Sequence, residues 1–526
     1  MPREREDAVE YLRSRGVQGS DDAVGALWRF RSLHRQAEDW LLDLVAELVL
    51  ALLEGDAGRL ADAESVIFYE EALVYRLLES PQPDLAWNVL NLGSELRYVR
   101  LGQRRGDFER GHRLFTAVLD HFGLLDDVPR LLQDGYADMG HDYSLYAMDC
   151  GYLEQAEDIL RHLAGQHRVV GHFFYRGYTM AAEQDLIEAL MLQGKLQEAE
   201  QLATELLALY AGAQRGAAFS EPADYTTVHL LGQRGYPIIG ANPYARRAIA
   251  RGLQGKTSAA LADFKLAEAF QDGALRRNRH RLPVAAQGRF VAMRSVEDEL
   301  RPLDGPAALY YAELLVRLGK LDSATPIARY HYDWGMAAGY PALTSHAELI
   351  LSDIARLRGS HRRAFQWLDY SRDWALAVHH AEYHCRAQLA AGRVYLAQRH
   401  YERAQDFANE ARRTASMCGL WVHEIDAQIT LGRLAMLQDD ARAAQQSAET
   451  ALNMANNPGC GYAWGAASAI HLLGEIAHRR WRQTHSLADA QNARRYLERA
   501  AAQRDQIRDP RVRNTRQLLD ELNDTA

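Results

Sequence analysis

The stretch "ARGLQGKTSAALA", Ala250–Ala262, has two readings, and the choice between them decides the fold. Its Gly255-Lys256-Thr257 matches the end of a phosphate-binding loop, in which bare backbone N–H groups wrap phosphates. That loop needs a further glycine at position 250, where this chain has Ala250. The same letters recur elsewhere. "LQGKLQEAEQLA" (Leu192–Ala203) and "RLGKLDSATPIA" (Arg317–Ala328) carry Gly194-Lys195 and Gly319-Lys320. Each of the three glycines is followed five residues later by alanine (Ala199, Ala260, Ala324), and four beyond that by Ala203, Phe264 and Ala328. A phosphate loop has no reason to be copied with that tail. A turn between paired helices does: glycine permits the bend, and alanine lets the helices cross closely.

The C-terminal half makes the repeat countable. Segments ending in "LYYAELLVRLG", "LILSDIARLRG", "LAAGRVYLAQR", "ITLGRLAMLQD" and "HLLGEIAHRRW" align on Ala312, Ser352, Gly392, Gly432 and Gly474, spaced 40, 40, 40 and 42 residues. Twelve residues after the first four stand Ala324, Ala364, Ala404 and Ala444, and Ala493 takes that slot in the last unit after a longer turn. Seven further on are His331, Ser371, Ala411, Ala451 and Ala500. Gly339, Gly419 and Gly461 each precede an aligned small residue by thirteen, breaking one hairpin from the next. Such periodicity marks an array in which each helical hairpin buries its apolar face on its neighbours.

This pattern resembles the tetratricopeptide repeat: in "LAAGRVYLAQRHYERAQDFANEA" (Leu389–Ala411) the matching residues are Gly392, Tyr395, Ala404 and Ala411. The family's unit is about 34 residues, so this longer unit resembles the repeats of bacterial maltose-activator-type regulators, kinesin light chains and the sensor regions of multidomain signalling ATPases. The resemblance implies an all-α, right-handed superhelical solenoid of about nine or ten hairpins, whose concave groove holds a partner protein or peptide. It is strong over 305–500 and good over 140–270. Earlier hairpins place Ala260, Ala199, Ala156, Gly111 and Ala63 in the slot. The expected organisation is an atypical helical cap over 1–110, degenerate repeats over 111–270 with an insertion at 211–245, a basic insertion at 271–305, and regular repeats with a C-terminal cap over 306–526.

Composition fits such a chain. At 526 residues it exceeds one ordinary core, and 48% hydrophobic with 25% charged residues suits a folded protein. A net charge of −9 argues against bulk nucleic-acid binding. The four cysteines, Cys150, Cys385, Cys418 and Cys460, form no C-x-x-C pair and read as reduced thiols of a cytoplasmic protein. The N-terminus "MPREREDAVEYLRSRG" has no apolar signal core. The longest apolar stretch, "WLLDLVAELVLALL" (Trp40–Leu53), is cut by Asp43 and Glu47 and is too short to span a bilayer.

The leading candidate site is the stripe six before and one after each aligned small residue, which lies on one helix face. It reads Pro306/Glu313, His346/Asp353, Arg386/Arg393, Asp426/Arg433 and Ser468/Glu475. Arg386, Arg393 and Arg433, with Arg356, form a cationic zone suited to carboxylates of an acidic motif. The competing reading pairs Asp353 with Arg393 and Asp426 with Arg433 as an intramolecular ladder. The family's carboxylate clamp needs an Asn that this stripe lacks.

Three other features carry less. Arg276, Arg277, Arg279 and Arg281 crowd the second insertion, with only Phe290 to stack on a base, so a solvated loop is the simpler reading. Tyr225, Tyr236 and Tyr244 in the first insertion suit a lid or partner anchor. His380 and His384 in "VHHAEYHC" have the i, i+4 spacing of a metal pair but no evident third ligand. No nucleophile constellation or dinucleotide turn is present. The expectation is a cytoplasmic, non-catalytic scaffold or sensor without a cofactor. A small-ligand or peptide-signal receptor closed by the two insertions is the alternative, and a metalloenzyme using His380/His384 stands behind both.

Overall fold

Seven turns of the computed structural model repeat one backbone solution. At Gly255 φ is +74°, and Lys256 N donates to Arg251 O at 2.9 Å, closing a six-residue C-terminal cap. Lys195 N to Leu190 O and Lys320 N to Leu315 O, both 2.8 Å, reproduce it at the other two Gly-Lys turns. Gly151 and Gly359 occupy the same position, as do Arg399 and Asp439, whose φ values of +63° and +64° show that the fold imposes this turn even on residues with a Cβ. The last turn, at His485, is also left-handed. The GKT letters are therefore a helix cap. Lys256 is ion-paired to Glu200, and the Thr257 hydroxyl is spent on Ile507 O at 2.8 Å.

The structure describes residues 71–80, 83, 86, 90, 108–124, 137–166, 173–215, 243–278, 306–338, 341–377 and 379–524. Among these there are helices and turns but no strand. Helix α1 (Phe108–His121) precedes eight hairpins. They are α2 (Ala137–Cys150) with α3 (Leu153–Gln166), α4 (Phe173–Leu192) with α5 (Leu196–Arg215), α6 (Pro243–Leu253) with α7 (Thr257–Asn278), and α8 (Pro306–Arg317) with α9 (Leu321–Ala338). The fifth pairs α10 (Pro341–Leu357) with a broken helix, α11 (His361–Gln366) and α12 (Asp369–Ala377). Then follow α13 (Ala381–Ala397) with α14 (Tyr401–Met417), α15 (Trp421–Leu437) with α16 (Ala441–Ala455), and α17 (Ala463–Thr484) with α18 (Leu487–Ile507). Helix α19 (Val512–Asp524) ends the described array.

The aligned small residues sit where the helices of one hairpin cross. A Cβ added at Gly392 would stand 3.3 Å from Ala404 O, and one at Gly432 would stand 3.3 Å from Ala444 O. Opposite them, Ala404, Ala408, Ala411 and Ala415 of α14 are fully buried, as are Ala444, Ala448 and Ala451 of α16. Spacings of four and three keep these methyls on one face. At Gly392 that space is taken by the partner helix α14, and at Gly432 it is shared with Leu472 of the next hairpin, whose Cδ2 a Cβ would meet at 2.8 Å.

Described helices run into the ends of both expected insertions. Ala211–Arg215 prolong α5, Tyr244 belongs to α6, and α7 runs on to Asn278, carrying Arg276 and Arg277. Good helix formers flank the glycines at 212 and 273, and one glycine costs only about 1 kcal/mol in a helix. The apolar stretch at 40–53 and most of the expected N-terminal cap lie outside the described residues. Residues 71–78 are helical, with Leu73, Val74 and Leu77 buried, and Glu71 is ion-paired to Arg110 of α1.

A second level of packing has no counterpart in the repeat pattern. A methyl group added at Gly151, in the first hairpin, would meet Cys418 and Ala381, which bound the sixth. At Gly194, in the second, it would meet Trp421 and Cys460, which bound the seventh. At Gly255, in the third, it would meet Ile507 and Ala463, which bound the eighth. Each of these three turns is seated on the hairpin five further along. Trp464 Nε1 donates to Gly252 O at 2.8 Å across the same seam. Five hairpins therefore complete one superhelical turn, and the next turn rests on it.

Candidate partner-binding face

The first helices of the regular hairpins, α8, α10, α13, α15 and α17, present the stripe Glu313, Asp353, Arg393, Arg433 and Glu475 at one position each. Five hairpins per turn curve this stripe inward, so residues distant in sequence meet. Arg386 on α13 reaches back two hairpins to bond Glu313 on α8, and its Nη1 also donates to Glu382 at 3.1 Å. His346 Nε2 lies 2.9 Å from the same Glu313 carboxylate. Arg393 Nη2 donates to Asp426 Oδ2 at 2.7 Å. Tyr462 Oη donates to Asp426 Oδ1 at 3.1 Å and accepts from Arg317 Nη1 at 2.8 Å. A continuous polar chain thus joins hairpins four, six, seven and eight.

The electrostatics follow from burial opposed by partners. Burial alone would raise the Glu313 carboxyl, but Arg386 and His346 overcome it and hold it at about 2. Asp426 is likewise held low against burial, by Arg393 and Arg317. Arg386 and Arg393 are raised, their burial outweighed by the carboxylates they touch. Burial pushes the Tyr462 phenol up to about 12. All these groups keep their ordinary charge near neutrality, locked into pairs.

Of the residues singled out from sequence, Asp353, Arg356, Arg386, Arg393, Asp426 and Arg433 all fall in this interior. The pairing differs from the ladder expected. Asp353 is taken by Arg356 of its own helix, at 3.0 Å from Nε and 2.8 Å from Nη2, rather than by Arg393. Asp426 is taken by Arg393 rather than by Arg433. The reason is inward curvature, which brings Arg393 toward the next hairpin's stripe. Arg317, Glu382 and Tyr462 were not legible as members: Arg317 falls off the stripe, and Tyr462 precedes its helix.

His380 and His384 diverge. His380 is the residue before α13, with extended backbone, and its Nε2 lies 3.6 Å from Asp149 of α2. His384, one turn on, has Nε2 4.0 Å from Glu410 of α14. Among the described residues no group of three or more potential ligands could hold a metal ion. Tyr244 packs against the core from α6, with Arg247 over its ring at 5.9 Å. Tyr225, Tyr236, Arg279 and Arg281 lie outside the described residues. Cys385 is fully buried, its thiol pushed up by burial and donating to Ala411 O at 3.3 Å, which is not the setting of a nucleophile. No described helix is long and apolar enough to cross a membrane.

No family model matches the chain, and no curated protein matches it. Solved structures do. A Rap protein complexed with competence and sporulation factor is 12% identical, with 74% of this chain and 99% of that chain covered at a TM-score of 0.44. A signal-transduction ATPase with a tetratricopeptide repeat sensor, from Pyrococcus horikoshii, is 13% identical over 95% and 73%, at 0.39. The Cut9–Hcn1 assembly is 12% identical over 98% and 95%, at 0.33. These are likenesses of helical arrays. The repeated caps and small-residue crossings of the described residues make such an array here. The chain is an all-α solenoid.

Proposed function

We propose that this chain is a non-catalytic, regulatory scaffold or sensor of the cytoplasm that holds a partner protein or peptide against the inner face of hairpins four to eight. The observation that carries this reading is the charged residue standing at one position of the first helices of five successive hairpins, Glu313, Asp353, Arg393, Arg433 and Glu475, and facing the interior. Stability does not require it, because buried ion pairs are often matched or exceeded by apolar packing. A polar interior suits the backbone and side chains of an extended polypeptide. A solenoid is also free to change pitch on binding, because each unit stacks chiefly on its neighbours.

The test must spare the paired arginines. Replacing Arg386 or Arg393 by glutamate would set two carboxylates together in the core and unfold the face. The full-length chain is instead immobilised and challenged with host lysate and with a displayed library of short random peptides. Hydrogen exchange on the complexes then reads where they bind. Protection of α8, α10, α13, α15 and α17 supports the reading. Protection confined to the outer helices, or the capture of neither protein nor peptide, removes it. Thermal stabilisation by a small metabolite in that last case favours the receptor alternative.

A further inference from the structure

The interior arginines are not equivalent. Arg317, Arg356, Arg386 and Arg393 each donate to a described partner. Arg433, on α15, makes no hydrogen bond and no ion pair with any described residue. The carboxylate exerting the strongest pull on it is Glu475. That group is already engaged by His471, Nε2 to Oε1 at 3.2 Å. The charges next strongest at Arg433 are all positive: Arg511, Arg393 and Arg356. Each has its own acid, namely Asp509 at 2.8 Å, Asp426 at 2.7 Å and Asp353 at 2.8 Å. Arg433 is only partly buried.

Burial and three neighbouring cations act together on this guanidinium, lowering its pKa where those of the paired Arg386 and Arg393 are raised. A guanidinium has five donors in a fixed fork that fits a carboxylate with two parallel hydrogen bonds. An arriving carboxylate would satisfy Arg433 and relieve the repulsion among four arginines, without breaking any existing pair.

We propose that Arg433 is the recognition cation of the inner face, binding a carboxylate of an acidic side chain or C-terminus of a peptide lying in the groove. This rests on the peptide-holding role proposed above. Arg433→Gln removes the charge while costing the fold no bond, so its melting temperature should match that of the unaltered protein. Arg403→Gln serves as the control, since it removes an exposed cation of α14 that lies outside the inner stripe.

The probes are the individual peptides selected from the random library on the full-length protein, each compared with a counterpart in which acids are replaced by amides. The expected result is that the selected peptides contain an acid whose amide replacement weakens binding tenfold or more, the scale of a charge-assisted bond. Arg433→Gln should weaken binding equally, and the two changes should not add. Arg403→Gln should leave affinity within about threefold. Peptides that contain no required acid, or that bind Arg433→Gln as well as the unaltered protein, overturn the assignment and leave the scaffold reading standing. Displacement by inorganic phosphate but not by acetate overturns the carboxylate specificity. A library that yields no binder overturns the assignment of Arg433, and the scaffold reading falls with it only if the lysate yields no protein either.

Discussion

Arg317 and Tyr462, 145 residues apart, are joined by a 2.8 Å hydrogen bond in the solenoid's interior. The same guanidinium lies over the Tyr462 and Trp464 rings, at 5.7 and 5.8 Å from their centroids. This contact holds hairpin four to hairpin eight, and through Asp426 it continues to Arg393.

Tyr462→Phe should therefore destabilise the chain by about 1–3 kcal/mol, because it strips a buried cation of its acceptor. Arg317→Met in the same background should recover part of that loss. Denaturant unfolding of the two single variants and the double variant gives the coupling energy. Strict additivity would mean that the bond does not operate in solution.

Glu348 supplies a pH dependence. It is buried on α10, and its Oε2 accepts the Ser371 N–H at 2.7 Å, serving an amide in the first turn of α12 that has no partner within its own helix. Burial raises its carboxyl from the ordinary 4.5 to about 8, so the folded chain holds a proton that the unfolded chain has released. Stability from this group is therefore full below about pH 4.5 and falls as pH rises through 8. His331 acts oppositely over a lower window: burial depresses it from 6.5 to about 4, so its contribution falls as pH drops through that range. Glu348→Gln should remove the fall in stability between about pH 4.5 and 8, and so leave the His331 limb unopposed below about pH 6.5. Melting curves at several pH values decide, and parallel curves for the two proteins would exclude a titrating Glu348.

The seam between superhelical turns can be tested with one pair of glycines. Gly255 and Gly359 have nearly the same backbone, with φ of +74° and +77°. A Cβ at Gly255 would strike Ile507 and Ala463, whereas one at Gly359 meets nothing within 4 Å. Gly359→Ala should cost roughly 1–2 kcal/mol, for the left-handed backbone alone. Gly255→Ala should cost about 1–3 kcal/mol more, for overpacking. Equal losses would show that the two turns do not touch in solution.

Within a hairpin, Ala404→Trp should destabilise by roughly 1–3 kcal/mol or more, since Ala404 is fully buried beneath Gly392. Its neighbour Arg403 is exposed, resting on the Tyr395 ring at 5.6 Å, and Arg403→Ala should stay within about 0.5 kcal/mol. Comparable melting temperatures for these two variants would contradict the helix crossing.

The sequence by itself determined the hairpin. A left-handed cap and a close helix crossing are demands made within a few tens of residues, so Gly255, Gly392 and Ala404 record them directly in their spacing. It also determined which residues share the inner stripe, because a helix fixes its own faces. Only the tertiary structure decided how tightly the array winds. The small rotation from each hairpin to the next accumulates over five of them before Gly255 can meet Ile507 or Arg317 can meet Tyr462, and no local pattern encodes that sum. The same accumulation settles which acid each arginine finds. It gives Asp426 to Arg393, gives Glu313 to Arg386, and leaves Arg433 with none.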